Sequence, residues 1–116
     1  MNGELRISGE EKVDGGVILH IQVGSASLQL KFTNHAQERA RRWSLSRERV
    51  LETLVYPEEV LRGHRGRFIT HRRYGEHLVR AVYEYEAGLP SLVTVYFPYA
   101  KRYYRGGGSY EDKILP

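Results

Sequence analysis

The fold is decided by the stretch VILHIQVGSASLQLKF, residues 17–32, in which apolar and polar side chains alternate on both sides of Gly24-Ser25. Alternation with a period of two is typical of a β-strand that buries one face. Two such runs separated by a Gly-Ser pair predict a β-hairpin, with Gly24 in the positive-φ position of a type II′ turn. Before the turn at Asp14-Gly15-Gly16, Glu4–Ser8 and Glu10–Val13 predict two further short strands.

Helical spacing of the apolar residues replaces this alternation after the hairpin. A first helix is predicted over about residues 35–43, capped by the side-chain oxygen of Thr33 or Asn34. Ser46 can cap a second helix. That helix is expected to end near Val55, because a proline follows two residues later and disfavours the helical conformation before it.

The β pattern returns in the last part of the chain. Residues 58–61 predict one more helical turn, and three strands rich in Tyr, Val, Ile and Phe follow at Arg67–Tyr74, Leu78–Glu86 and Leu92–Tyr99. Their short connections predict an antiparallel meander.

This order of elements predicts the α+β class, with an N-terminal β-hairpin and two short helices packed on one face of an antiparallel sheet. We expect one domain over residues 1–116. It would consist of a hairpin extension at 1–33, a helix–helix–meander core at 34–99, and a basic, aromatic and Gly-rich tail at 100–116.

Composition excludes several classes of protein. The chain has 116 residues, 41% of them hydrophobic, and no cysteine. Disulfide scaffolds, iron–sulfur clusters, Cys-rich zinc sites and thiol nucleophiles are therefore excluded. No nucleophile-elbow, Walker, dinucleotide or HExxH motif occurs, so we expect no metal and no cofactor. The opening MNGELR is neither basic nor apolar, and no apolar run approaches membrane-span length, so we expect a cytoplasmic protein.

Positive charge is concentrated in the middle of the chain. Residues 34–83 hold eleven Arg or Lys against six Asp or Glu, whereas residues 84–116 hold four of each. Fourteen of the eighteen basic residues are arginine, whose planar guanidinium suits phosphate better than the ammonium of lysine does. Two interpretations stay open: an anionic partner such as RNA, or a compositional bias toward arginine without one.

Two groups of residues could act on a phosphodiester. His35, Arg39 and Arg42 follow at i, i+4 and i+7 on the first predicted helix and share one stripe. The second group crowds the first hairpin of the meander within nineteen residues and comprises Arg62, His64, Arg65, Arg67, His71, Arg72, Arg73, His77 and Arg80. An imidazole beside fixed positive charge can move a proton while charge builds on a phosphate. Each group can equally be solvated surface whose charges are balanced by nearby glutamates.

The tail carries aromatic residues between cations. Lys101, Arg102, Tyr103 and Tyr104 could hold phosphates and stack unpaired bases. Alternatively, this segment packs back on the sheet as a last short strand.

The chain resembles the domain-of-unknown-function 4258 family over residues 32–98. The segments that carry the resemblance are FTNHAQER (32–39), LSRERVLETL (45–54), YPEEV (56–60), GRF (66–68), LVRAVYE (78–84) and VTVY (93–96). His35 and Arg39 match the H-A-x-x-R motif of that family, and Arg80 matches its L-R-V-x-Y motif.

That family is similar to the BrnT and RelE/ParE-like toxins of toxin–antitoxin modules, in which a pair of helices packs on an antiparallel sheet. The resemblance therefore implies a metal-independent ribonuclease, in which basic residues and an acid/base drive attack of the ribose 2′-hydroxyl on the adjacent phosphate. Unlike those toxins, this chain carries an N-terminal segment of about thirty residues before the shared region.

Our leading hypothesis is an RNA-directed protein of the endoribonuclease-toxin type. The expected catalytic residues are His35, Arg39, His71 and Arg80, and the expected RNA-binding residues are Arg42, Arg67, Arg72, Arg73, Lys101, Arg102, Tyr103 and Tyr104. The expected partners are RNA and a small acidic, antitoxin-like protein that covers the cationic face. Two alternatives stay open: a non-catalytic module that binds nucleic acid or protein, and an accessory domain that pairs with a second copy through an edge strand.

Overall fold

The computed structural model of the protein describes residues 4–115. The first half contains the strands β1 (Leu5–Val13), β2 (Gly16–Val23) and β3 (Ala26–Thr33), followed by the helices α1 (Asn34–Arg42) and α2 (Arg47–Val55). The second half contains β4 (Glu59–Arg62), β5 (Phe68–Tyr74), β6 (His77–Glu86), β7 (Leu89–Tyr96) and the short helix α3 (Ala100–Tyr103).

The strands form one mixed sheet in the order β1-β2-β3-β7-β6-β5-β4. This confirms the α+β class and corrects the expected antiparallel sheet, because β3 and β7 run parallel through the pairs Lys31–Ser91 and Phe32–Leu92. The two helices carry the chain from β3 to the far edge of the sheet. The meander then returns strand by strand from β4, so that β7 arrives beside β3 in the same direction.

The β2–β3 hairpin is confirmed, with Gly24 at a φ of 58° in its turn. The two short strands predicted before Asp14 are a single strand, β1, with a bulge between Ile7 and Gly9. These strands are continuous with the rest of the sheet, and their buried side chains share one core with the helices and the meander.

Both predicted helices form. Thr33 caps α1 by accepting a hydrogen bond from the amide of Ala36, and Ser46 caps α2 in the same way through Arg49. The helical turn predicted at residues 58–61 is wrong. That segment is β4, because its backbone pairs with β5 along its whole length, and this tertiary pairing overrides the weak local preference.

The register assigns side chains to the two faces of the sheet. Residues directly opposite each other on neighbouring strands point to the same face. One cross-strand row is Val60, Thr70, Ala81 and Val95, and Thr70 donates a hydrogen bond to the carbonyl of Thr53 in α2. The adjacent row is Glu59, His71, Arg80 and Tyr96. This second row therefore lies on the face opposite the helices.

The C-terminal segment, residues 104–115, runs past the edge of β4. The Val60 amide donates to the Ser109 carbonyl at 2.7 Å, and the Glu111 amide donates to the Val60 carbonyl at 2.9 Å. Farther on, Asp112 accepts hydrogen bonds from the hydroxyls of Tyr83 and Tyr85. This segment therefore covers the β4 edge of the sheet. In the part of the chain that the structure describes, no helix has the length and apolar character to span a membrane.

Thr33 joins the two halves of the sheet, and its replacement provides a test of the fold. Its hydroxyl donates to the Leu92 carbonyl of β7 at 2.7 Å while it caps α1. We expect Thr33→Ala to lower the free energy of unfolding by about 1–2 kcal/mol, because a helix cap and a cross-strand hydrogen bond are lost together. Chemical denaturation measures this change. Thr33→Ser keeps the hydroxyl and is the matched control, so an equal loss in both variants would contradict the assignment.

Candidate functional site

A hydrogen-bonded row of polar side chains crosses the face opposite the helices. The Nδ1 atom of His71 lies 2.6 Å from Oε2 of Glu59, and Nη1 of Arg80 lies 2.9 Å from Nε2 of His71. The side chains of Glu59 and His71 have no exposed surface. Because β4, β5 and β6 place these residues directly opposite each other, the sheet register itself brings the three side chains together.

The partners of His71 fix its tautomer. Arginine can only donate hydrogen bonds, so Nε2 of His71 must accept from Arg80. Nδ1 then carries the proton and donates a hydrogen bond to the carboxylate of Glu59. Glu59 also accepts from the backbone amides of Arg105 and Gly107, each at 3.0 Å. A neutral imidazole thus connects a buried carboxylate to a guanidinium.

The environment keeps Glu59 ionised and His71 neutral. Burial raises the pKa of Glu59, but the hydrogen bonds from His71 and from the amides of Arg105 and Gly107 lower it further than burial raises it. Burial lowers the pKa of His71, the hydrogen bond to Glu59 opposes that shift, and the positive charge of Arg80 adds to it. The net effect is a lowered pKa for both groups.

Arg80 connects this buried row to an open groove. Its guanidinium lies over the ring of Tyr103, with 4.2 Å between its central carbon and the ring centroid. The groove has a volume of about 450 Å³ and is lined by Trp43, Arg80, Tyr96, Phe97, Pro98, Arg102 and Tyr103. Tyr96 is the cross-strand neighbour of Arg80, and Trp43 follows the last residue of α1.

Exposed aromatic rings surround Arg80. Trp43 is 40% exposed, Tyr96 38% and Tyr103 36%, which is unusual for side chains of this size. Next to the groove, the ring of His77 stacks between Phe97 and Tyr99, with centroid distances of 4.7 and 4.6 Å. This end of the sheet therefore presents several flat π-faces to solvent.

Within residues 4–115, the cations in and beside the groove have no acidic partners. Among the described residues, neither Arg80 nor Arg102 forms an ion pair with a carboxylate, and the same holds for Lys101 on α3. Most of the other arginines that the sequence analysis selected are paired: Arg42 with Glu38 at 2.8 Å and Arg67 with Glu84 at 3.0 Å. The positive charges of Arg80, Arg102 and Lys101 are therefore not neutralised by a carboxylate of the described chain and are available to an anionic ligand.

Two further arginines of the predicted RNA-binding set are also engaged. Arg72 donates to the Tyr56 carbonyl at 2.7 Å and lies 3.5 Å from Glu52. Arg73 lies 3.8 Å from Glu58 and stacks over the ring of Tyr104. The predicted basic tail begins with the helix α3, which contains Lys101, Arg102 and Tyr103 and is capped at its C-terminus by Tyr104. The alternative prediction of a last short strand at this segment is wrong.

The structure brings together only part of the predicted catalytic set. His71 and Arg80 are in contact, but His71 is buried and both of its ring nitrogens are hydrogen bonded, so it cannot reach a ligand directly. His35 is the second residue of α1, which directly follows β3. In the sheet, β3 lies three strand spacings, about 14 Å, from the β5 strand of His71. Arg39 lies one helical turn before Trp43, and its Nε is buried without a hydrogen-bond partner among residues 4–115.

Sequence reasoning missed several residues of this site. Glu59 falls in the helical turn predicted at residues 58–61, and neither Trp43 nor Tyr96 is among the expected site residues. A signal for the histidine–arginine contact did exist. The two-residue connection Gly75-Glu76 pairs Tyr74 with His77. Three residues before Tyr74 on β5 and three residues after His77 on β6, His71 and Arg80 therefore lie opposite each other. No local pattern indicated that β4 would bring Glu59 to this pair.

Comparison of the chain with protein-family models, with curated proteins and with solved structures finds no match. Membership of the domain-of-unknown-function 4258 family therefore stays a prediction. Among the described residues, no cluster of three or more His, Asp or Glu side chains could hold a metal ion.

The lowered pKa values of His71 and Glu59 predict loss of stability in acid. In the unfolded chain the pKa is close to 6.5 for His71 and 4.5 for Glu59, and in the folded protein the pKa of each group lies below that value. The unfolded chain therefore binds more protons as the pH falls. We expect the free energy of unfolding to decrease as the pH is lowered from about 6.5, because the unfolded chain protonates His71. It should decrease further as the pH is lowered from about 4.5, because the unfolded chain then protonates Glu59.

Denaturation curves from pH 7.5 to pH 3.5, which end about one unit above the unfolded pKa of His71 and about one unit below that of Glu59, measure this effect. His71→Gln has no titrating imidazole at this position, so its stability should depend less on pH in the upper part of that range. Identical pH profiles for the two proteins would contradict a neutral, buried His71.

Proposed function

We propose that this protein binds single-stranded RNA, with a phosphate on Arg80 and unpaired bases against the aromatic rings of the groove. The observation that carries the proposal is the position of Arg80. Its guanidinium is held by His71 at the base of the groove, has no acidic partner among the described residues, and lies beside three exposed aromatic side chains.

The chemistry of the groove supports this choice of ligand. A guanidinium binds phosphate through parallel N–H donors, and an aromatic face stacks any base that is not paired. Exposed rings that project from a groove can reach a splayed single strand, whereas the bases of a duplex are stacked inside it. Arg102, which lines the groove, and its neighbour Lys101 on α3 supply additional positive charge.

Replacement of Arg80 tests the proposal. We expect Arg80→Ala to weaken binding of a labelled oligoribonucleotide of about eight nucleotides by roughly tenfold to a hundredfold, because one charge-assisted contact is lost. Fluorescence anisotropy at several salt concentrations measures the affinity. The slope of log affinity against log salt should fall by about one for the lost phosphate contact.

Arg47→Ala is the matched control. It removes the same charge from the start of α2. Arg47 lies 2.8 Å from Glu10 and does not line the groove. Equal effects of the two substitutions would show that net charge alone determines binding, and would contradict a site at Arg80.

Metal-independent cleavage of the bound RNA is a second candidate function. It is favoured by the fixed guanidinium of Arg80, since a preorganised cation stabilises the charge that builds on a phosphate during attack of the 2′-hydroxyl. With His71 buried and His35 in another part of the fold, the hydroxyls of Tyr96 and Tyr103, which line the groove together with Arg80, are the candidate proton donors and acceptors.

Incubation with RNA in EDTA decides between cleavage and binding alone. A cleaving enzyme should give fragments ending in a 2′,3′-cyclic phosphate, and Tyr103→Phe should slow their formation more than it weakens binding. Intact RNA after prolonged incubation with protein that binds it would leave the non-catalytic module as the function.

The groove and the β1 edge of the sheet each favour one of the expected protein partners. A small acidic, antitoxin-like protein would cover Arg80 and Arg102 and compete with RNA for the groove. A second copy of the chain would pair along β1, the strand at the sheet edge opposite β4. Light scattering of the purified protein distinguishes a monomer from such a dimer.

A further inference from the structure

We infer that Glu59 and His71 are positioning residues that hold the guanidinium of Arg80 in the orientation that receives a phosphate. This inference rests on the proposed binding of RNA at the groove and assigns a role to two side chains that a ligand cannot touch.

The geometry gives each member of the row one task. Nη1 of Arg80 donates to Nε2 of His71, and the ring of Tyr103 covers the guanidinium at 4.2 Å. A guanidinium with one donor and one face fixed keeps its remaining N–H groups in a defined direction. Preorganisation of this kind lowers the conformational entropy that binding would otherwise cost.

Glu59 fixes the state of His71 that makes this possible. Because its carboxylate accepts a hydrogen bond from Nδ1, with 2.6 Å between Nδ1 and Oε2, the lone pair of Nε2 is directed at Arg80. An imidazole with the other tautomer would turn an N–H toward the arginine, and two donors would face each other. Glu59 thus acts on Arg80 through His71.

The C-terminal segment fixes Glu59 in turn. The amides of Arg105 and Gly107 each donate to one carboxylate oxygen, and the Gly108 amide donates to the Glu58 carbonyl at 2.9 Å. Gly107 has a φ of 81°, and a Cβ there would lie 2.7 Å from the hydroxyl of Tyr104. The path of the segment therefore depends on glycine at this position, and the orientation of Arg80 depends on that path.

Two substitutions at position 71 separate positioning from stability. In His71→Gln the amide oxygen can reach the place of Nε2 and accept from Arg80. In His71→Asn the shorter amide reaches only the place of Nδ1. We expect His71→Asn to weaken RNA binding about fivefold to tenfold, the effect of one lost hydrogen bond, and His71→Gln to bind nearly as well as the wild-type protein.

A double-mutant cycle with Arg80→Ala identifies the route of the effect. If His71 acts through Arg80, His71→Asn should cause no further loss of affinity in the Arg80→Ala protein. Additive losses, or an unchanged affinity in His71→Asn alone, would overturn the inference while leaving RNA binding intact. Ser46→Ala removes the hydrogen bond that caps α2, away from the groove and the C-terminal segment, and is the control. It should lower the melting temperature without changing the affinity of the folded protein.

A second measurement needs no RNA. In ¹⁵N-arginine NMR spectra, the side-chain resonances of Arg80 should show slow rotation and slow solvent exchange in the wild-type and His71→Gln proteins and fast exchange in His71→Asn. Equal exchange in all three would overturn the inference. If the wild-type protein binds no RNA, the proposed function fails, and these spectra still decide whether His71 holds Arg80.

If His71→Asn does not fold, Glu59→Gln replaces it in both measurements. The glutamine keeps the volume of Glu59 but removes the charge that fixes the Nδ1 proton, so a smaller loss of affinity and faster exchange of Arg80 are expected. Unchanged values for both would overturn the inference.

Discussion

Burial of an ionised carboxylate is the constraint on which the rest of this structure depends. Glu59 has no exposed side-chain surface, and a charge removed from water destabilises the fold unless hydrogen bonds and opposite charge compensate for it. Three donors supply that compensation: the ring of His71 and the amides of Arg105 and Gly107. They come from β5 and from the C-terminal segment, so one carboxylate joins the edge of the sheet to the end of the described chain.

The two faces of the sheet have separate roles. On one face, α1 and α2 pack on the sheet, and their apolar side chains join those of the strands in one hydrophobic core. On the other face, the row from Glu59 to Tyr96 changes gradually from buried charge to an exposed ring. The apolar core supplies stability, and the opposite face is free to hold a polar network that ends in a solvent-filled groove.

The candidate site illustrates how far sequence reasoning about charge can go. The sequence analysis selected the arginines as one cationic group because they are close in the chain. In the folded protein, Arg67, Arg72 and Arg73 contact glutamates, whereas Arg80 contacts a neutral imidazole. Proximity in sequence could not show this difference, since ion pairing depends on which carboxylates the neighbouring strands and helices bring to each side chain.

The sequence by itself determined the local elements. Alternating side chains specified the β2–β3 hairpin and the meander, and Thr33 and Ser46 specified the starts of both helices, because side-chain periodicity and capping act over a few residues. Only the tertiary structure decided that β3 runs parallel to β7, that residues 59–62 form a strand, and that Glu59, His71 and Arg80 meet. These features depend on pairing between segments far apart in the chain, where the free energy comes from burial and backbone hydrogen bonds that no local pattern encodes.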